Sequence, residues 1–269
     1  MESLEAERDH ARDLDVDDLA DAIESIGFEC TRCGACCKGY EPTQEGENVD
    51  REPHTATIFP DEVRTLLDST NAGDDADVTD ADVTDAEGDA DREGPAEPYD
   101  WRDVARPMPY GLHETSAGDT VGETFEWALA VDDCGDCTFY EETDGRGACT
   151  VHDDRPLVCR TYPFSVALGG TSQPMGEAVD GEGMVRAHEC EGLGREIDRA
   201  EARNLAEALK TRSVREIEEA IAVRDRYDPD VTAGSDADVV VFDSEGAKRT
   251  DGTPIEPGAR GKRSDFGTE

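Results

Sequence analysis

The chain has little positive charge and almost no lysine. Of its 269 residues, 67 are acidic and 26 basic, only four of the latter are lysine, and the formal net charge is -41. Such an excess of carboxylate repels nucleic acid and anionic membrane surfaces, and the missing basic face disfavours nucleic-acid binding by a zinc ribbon. No apolar run approaches the ~18 residues that a membrane span requires. The first residues, Met1 to Asp9, carry neither the basic nor the apolar region of a signal peptide. A cytoplasmic protein with no nucleic-acid or membrane partner is the expectation. Also missing are a P-loop, a dinucleotide-binding fingerprint and a nucleophile-base arrangement. Gly181-x-Gly183 and Gly192-x-Gly194 read as turn signals, and His54, His113, His152 and His188 as scattered surface positions or minor ligands. High aspartate with scarce lysine is the habit of a halophilic proteome, in which concentrated salt screens self-repulsion. The acid content then says nothing about function.

What the chain does have is cysteine. Cys30-Thr-Arg-Cys33-Gly-Ala-Cys36-Cys37 holds four thiols in eight residues. Short C-x2-C steps turn successive thiolates onto one ion or cluster without straining the backbone, and Gly34 suits the tight turn between them. A second group follows much later: Cys134-Gly-Asp-Cys137, then Cys149, Cys159 and Cys190. Nine cysteines in a reducing compartment point to metal or redox chemistry rather than disulfides. All nine are candidate metal ligands. Spacing is consistent with Cys30, Cys33 and Cys36 or Cys37 joined by one later thiol, and with Cys134, Cys137 and two of Cys149, Cys159 and Cys190 in another site. One shared cluster with bystander cysteines fits equally well.

Acid is absent where those thiols are. Arg155 to Gly176 and Cys30 to Tyr40 contain no Asp or Glu, in a chain where about one residue in four is acidic. Four thiolates around Zn²⁺ or an iron-sulfur core leave a charge of about -2, which carboxylates would worsen and Arg32, Lys38, Arg155 and Arg160 would offset. A buried strand over Leu157 to Leu168 would also exclude acid, and a core strand can bear a ligand.

The fold class expected is α+β: a small, metal-stapled, loop-rich core of short strands flanked by an N-terminal helix and a C-terminal helix pair. Val16, Leu19, Ile23 and Ile26 lie at helical spacing, so an amphipathic helix runs into the cysteine loop and stops at Gly27. Thr55 to Phe59 reads as a short strand, Pro60 to Leu67 as a short helix, and Tyr99 to Pro109 as an ordered, irregular return. A strand over Glu123 to Val131 puts Phe125, Trp127 and Leu129 on one face, and Thr138 to His152 forms a hairpin. The cysteine-cluster domain covers 13–67 and 99–195. It is interrupted over 68–98 by a disordered acidic insert, in which Ala76 to Asp80 is repeated as Ala81 to Asp85. Residues 196–227 read as the helix pair, with Ser213 and Glu216 as a capping box at the second start. Val239 to Phe242 reads as a strand and 243–269 as a polar tail.

The two cysteine groups, with Gly147-Ala-Cys149-Thr-Val-His152-Asp-Asp-Arg155-Pro-Leu-Val-Cys159-Arg-Thr-Tyr162-Pro-Phe164 between Cys137 and Cys190, resemble the CxxCxxCC zinc- or iron-chelating domain. This is the YkgJ-like cysteine-cluster family, often labelled Fe-S oxidoreductase. Where that family often has tyrosine, position 152 has histidine. The resemblance implies an iron-sulfur cluster or zinc as cofactor, and a related cluster in flagellin lysine N-methylases keeps methyl transfer in view. Three readings follow: an Fe-S oxidoreductase of unknown substrate, a non-enzymatic structural zinc module, and a methyltransferase-related protein.

Overall fold

Two helices, α1 (Leu4–Asp13) and α2 (Val16–Ile26), open the chain. Asp15 accepts the Asp17 and Asp18 amides at the start of α2, and Gly27, at φ 76°, ends it. Only α2 is legible as apolar periodicity. The first helix is carried instead by its Ser3 cap, acids in its first turn, His10 and Arg12 in its last, and ion pairs from Arg12 to Glu218 (2.6 Å) and Glu5 to Arg224 (2.8 Å). The chain continues through β1 (Thr57–Ile58), α3 (Pro60–Asp74), α4 (Trp101–Val104), β2 (Ala105–Pro107), β3 (Leu112–Glu114), β4 (Thr120–Thr124) and β5 (Trp127–Leu129). Then come β6 (Tyr140–Thr143), β7 (Arg146–Cys149), a 3-10 turn (His152–Asp154), α5 (Leu157–Thr161), β8 (Phe164–Val166), β9 (Ala178–Asp180) and β10 (Val185–His188). A long α6 (Arg199–Arg226) and the strands β11 (Val239–Asp243) and β12 (Gly246–Lys248) complete it. This computed structural model describes residues 3–40, 51–74, 98–168, 178–180, 183–231 and 239–255.

Helices and short strands together make an α+β fold. Its sheets run β1-β5-β2, β8-β10-β9 and β12-β11-β4-β3, and β6-β7 is a hairpin. Among the described residues all strand pairings are antiparallel except β4 with β11. One apolar cluster gathers Ile58, Leu66, Trp127 and Leu129 under the first sheet, and Cys37, Cys137, Cys149 and Cys159 touch it. A second joins α2 to α6 and to β8 and β10 through Leu19, Ile23, Phe164 and Leu209. A third, around Val240, Phe242 and Ile255, holds the C-terminal strands.

Four expectations need correction. The helix pair is one helix, because nothing between Arg212 and Val214 breaks it. The Ser213 hydroxyl donates to the Leu209 carbonyl (2.9 Å) from inside the helix instead of capping a new one. Glu123 to Val131 is two strands: the chain breaks at Phe125, which turns out to 45% exposure and stacks near Phe242 and Tyr227, while Trp127 and Leu129 are buried. Leu157 to Leu168 is helix α5 followed by β8. The polar tail is not a tail up to Ile255, since Asp243 is 1% exposed and Ile255 is in the core. In addition, α3 runs on through Asp74, two turns into the expected insert; the repeat at 76–85 and the end of the tail, 256–269, lie outside the described residues.

Candidate metal centre

Backbone pairing decides which thiols meet. After Gly27 the chain pairs with the segment that follows Cys190: Phe28 bridges Leu193, the Glu29 amide donates to the Gly192 carbonyl (3.0 Å), and Gly194 donates to Gly27 (3.0 Å). A side chain at Gly192 would lie 2.3 Å from the Glu29 carbonyl oxygen, so only glycine allows this approach. Cys190 is thereby delivered to the first cysteine loop, a partnership that the sequence left open.

The loop itself turns through Arg32 (φ 58°) and Gly34 (φ 78°). Its Arg32 carbonyl accepts the Gly147 amide (2.8 Å), which lays the β6-β7 hairpin and Cys149 against it. The Cys137 amide donates to the Cys37 carbonyl (2.8 Å), which fastens the second C-x2-C loop directly to the first. Asp132 shapes that second loop by accepting the Cys134 and Asp136 amides (2.8 and 2.9 Å). Asp136 in turn accepts the Gly39 amide (2.8 Å) and Arg51 (2.7 Å). Cys159 rides on α5. The first turn of α5 is held by Glu62, whose two oxygens accept the amides of Leu157 (2.8 Å) and Phe59 (3.0 Å). Glu62 went unseen because a carboxylate at the start of α3 looks like ordinary helix-dipole charge.

Two contiguous cavities result. One, of about 490 Å³, is lined by Cys30, Cys33 and Cys190 and reaches Cys36, Cys37, Cys149 and Cys159. The other, of about 440 Å³, shares those last four and adds Cys137 and His54. Eight of the nine candidate ligands are therefore brought together across the acidic insert. Cys134 is exposed and lines neither cavity. Arg32, Arg155 and Arg160 line the first cavity, Lys38 and Arg155 the second. Lys38 is bound to Glu142 (2.5 Å), so much of its charge is already matched.

Cys36, Cys137, Cys149, Cys159 and Cys190 are held as neutral thiols without metal. The contact with Cys37, then burial, raises the Cys36 thiol far above its ordinary range. Burial pushes Cys137 up to about 11 and raises Cys159, Cys149 and Cys190, with neighbouring thiols adding to it. Arg155 pulls Cys36, Cys149 and Cys159 the other way. Among the described residues no three Cys, His, Asp or Glu side chains converge as a ready-made cage, and closing one requires the loss of thiol protons and side-chain rotation. The donor set nevertheless fits a thiophilic metal. Cys36 and Cys37 sulfurs are 3.8 Å apart, and a tetrahedral ion with sulfur at ~2.3 Å has edges of about 3.8 Å.

Residues 101–191 match the family model of the CxxCxxCC zinc- or iron-chelating domain. The matched segment carries Cys134 to Cys190 and leaves out Cys30 to Cys37, which the fold returns to it. The similarity is thus to a metal-chelating domain, and the cysteines gathered beside it come from both sides of the acidic insert. No curated protein and no solved structure matches the chain. No helix among the described residues is long and apolar enough to cross a membrane.

His54, in the second cavity, should make the metal-free protein acid-sensitive. Burial, then Arg106, lowers its pKa to about 4. The folded state holds the neutral ring, so its contribution is complete above the ordinary ~6.5 and is lost as pH falls through about 4. Between pH 7 and 4 metal-free protein should lose about 3 kcal/mol by this route. Urea unfolding of His54→Gln should show that much less acid loss than wild type, and equal losses would exclude His54 as the cause.

Proposed function

We propose that the protein is a cytoplasmic iron-sulfur protein of the YkgJ-like type, an Fe-S oxidoreductase whose substrate is unknown, adapted by its acidic surface to concentrated salt. The supporting observation is the thiol surplus: eight cysteines around two contiguous cavities exceed the four that one structural zinc needs. An iron-sulfur cluster supplies one-electron redox chemistry when bound. The residues of this chain do the rest. Cysteine thiolates hold the cluster, Arg32, Arg155 and Arg160 offset its charge of about -2 and donate to sulfur, and the buried wall of Cys137, Phe139 and Leu129 keeps water from one side.

A structural zinc module is the second reading. It is favoured by the Cys36-Cys37 sulfur separation of 3.8 Å, the edge of a zinc tetrathiolate. Anaerobic purification separates the two. Broad sulfur-to-iron absorption in the visible, with iron and acid-labile sulfide, is expected; a colourless protein with stoichiometric zinc would overturn the redox reading in favour of the module.

A further inference from the structure

The two cavities differ in which thiols they own. Cys137 belongs to the inner cavity alone, and Cys30, Cys33 and Cys190 to the outer alone. Cys137 is buried at 7% exposure, and Cys159 lies against the apolar core with Cys37 and Cys149. Cys30 and Cys36 are exposed, and Cys33, Cys37, Cys149, Cys159 and Cys190 are half-buried, so Cys137 alone is buried outright. The backbone ties follow the same division: Cys37 is bonded to Cys137, whereas the Cys190 loop is bonded to the chain that enters Cys30.

We infer that the chain holds two metal sites of different character, an inner closed one and an outer open one. The inference rests on the reading that these thiols hold metal. The inner site draws on Cys36, Cys37, Cys137, Cys149 and Cys159, more than enough to fill four positions with protein sulfur, as structural sites do. The outer site has three thiols that the inner cavity does not share, Cys30, Cys33 and Cys190, and with Cys36 engaged by Cys37 at 3.8 Å it leaves a fourth position for an exogenous ligand, as reactive sites do. A soft donor suits that position best, because three thiolates select a thiophilic ion; the class of ligand is a small thiol. Cys134 serves neither site, since its loop points it to solvent, and its backbone is occupied with Asp132 and Arg51.

Reduced full-length protein reconstituted with zinc alone tests this independently of iron. Two ions per chain are expected, and a competing chromogenic chelator should remove the outer one at least about tenfold faster than the inner, as one missing protein ligand predicts. Cys190→Ser should abolish the fast phase and leave one slow ion, Cys159→Ser should abolish the slow phase, and Cys134→Ser should change neither. With cobalt(II) in place of zinc, a small thiol such as 2-mercaptoethanol should shift the visible bands of wild type and not those of Cys190→Ser. One ion per chain, loss of both ions from Cys190→Ser with an unchanged thermal transition, or bands indifferent to added thiol would overturn the assignment. If Cys190→Ser does not fold, Cys33→Ala gives the same reading from the other side of the loop. Zinc in place of iron in the protein as purified would refute the redox reading and leave the two-ion count standing, whereas uptake of a single zinc ion on reconstitution would refute the two-ion count and leave the iron of the purified protein standing.

Discussion

Replacing Arg212 with alanine is expected to lower stability by about 3–5 kcal/mol, the cost of breaking a buried ion pair from one side. Arg212 sits in the middle of α6 at 1% exposure. Its Nε donates to Glu216 (2.7 Å), and its guanidinium reaches the Thr161 hydroxyl (2.9 Å) and the Phe164 carbonyl (3.4 Å). One side chain therefore pins the end of α5 and the start of β8 to the long helix. Without it Glu216 is left beside Glu126 and Glu219, whose carboxyl pKa values are already raised, first by burial and then by neighbouring charge. Loosening α5 also loosens Cys159, so bound metal should fall along with the denaturant midpoint. The double change Arg212→Met with Glu216→Leu removes both charges and should recover most of the stability. A loss below about 1 kcal/mol for Arg212→Ala, in the range of surface pairs, would show that the contacts are incidental.

That network explains why the acid-free stretch could be read for its chemistry but not for its shape. The absence of acid from Arg155 to Gly176 marked a thiolate environment, and Arg155 does face three thiols. A continuous strand was the natural structural reading, because Leu157, Val158, Tyr162 and Phe164 are all good strand residues. Tertiary partners decided otherwise: Glu62 holds the Leu157 amide at a helix start, and Arg212 accommodates the turn after Thr161. Local signals succeeded where geometry is local. The Gly27 stop and the hairpin over Thr138 to His152, which turns at Asp144 and Gly145 at positive φ, read directly from residue type. They failed where the determinant is remote, as in the union of Cys190 with Cys30, which depends on a backbone approach at Gly192. The break at Phe125 has the same origin, since its ring is claimed by Tyr227 and Phe242 from the far end of the chain.

Asp243→Ala should be comparably damaging, at about 3–5 kcal/mol, although it lies outside the matched domain and far from it in sequence. The carboxylate is 1% exposed and bound to Lys248 (2.7 Å), itself nearly buried. One oxygen also accepts the Trp127 indole N–H (2.8 Å), and the other the Glu245 amide (2.9 Å). Truncation leaves the indole donor without its acceptor, a loss of ~1–3 kcal/mol, and leaves Lys248 with Glu245 alone (2.6 Å) under the face of Trp101. Asp243→Asn keeps an acceptor for the indole and should cost clearly less, which separates the charge from the hydrogen bond. The effect should reach the metal. Trp127 opens β5, β5 leads through the Ala130-Thr138 backbone bond (3.1 Å) and the Val131-Cys137 bridge into the second cysteine loop, and Cys137 is fastened to Cys37. Urea unfolding gives the stability loss, and zinc retention after gel filtration gives its transmission. Loss of stability with full metal retention would mean that the C-terminal strands guard the core without positioning the cysteines.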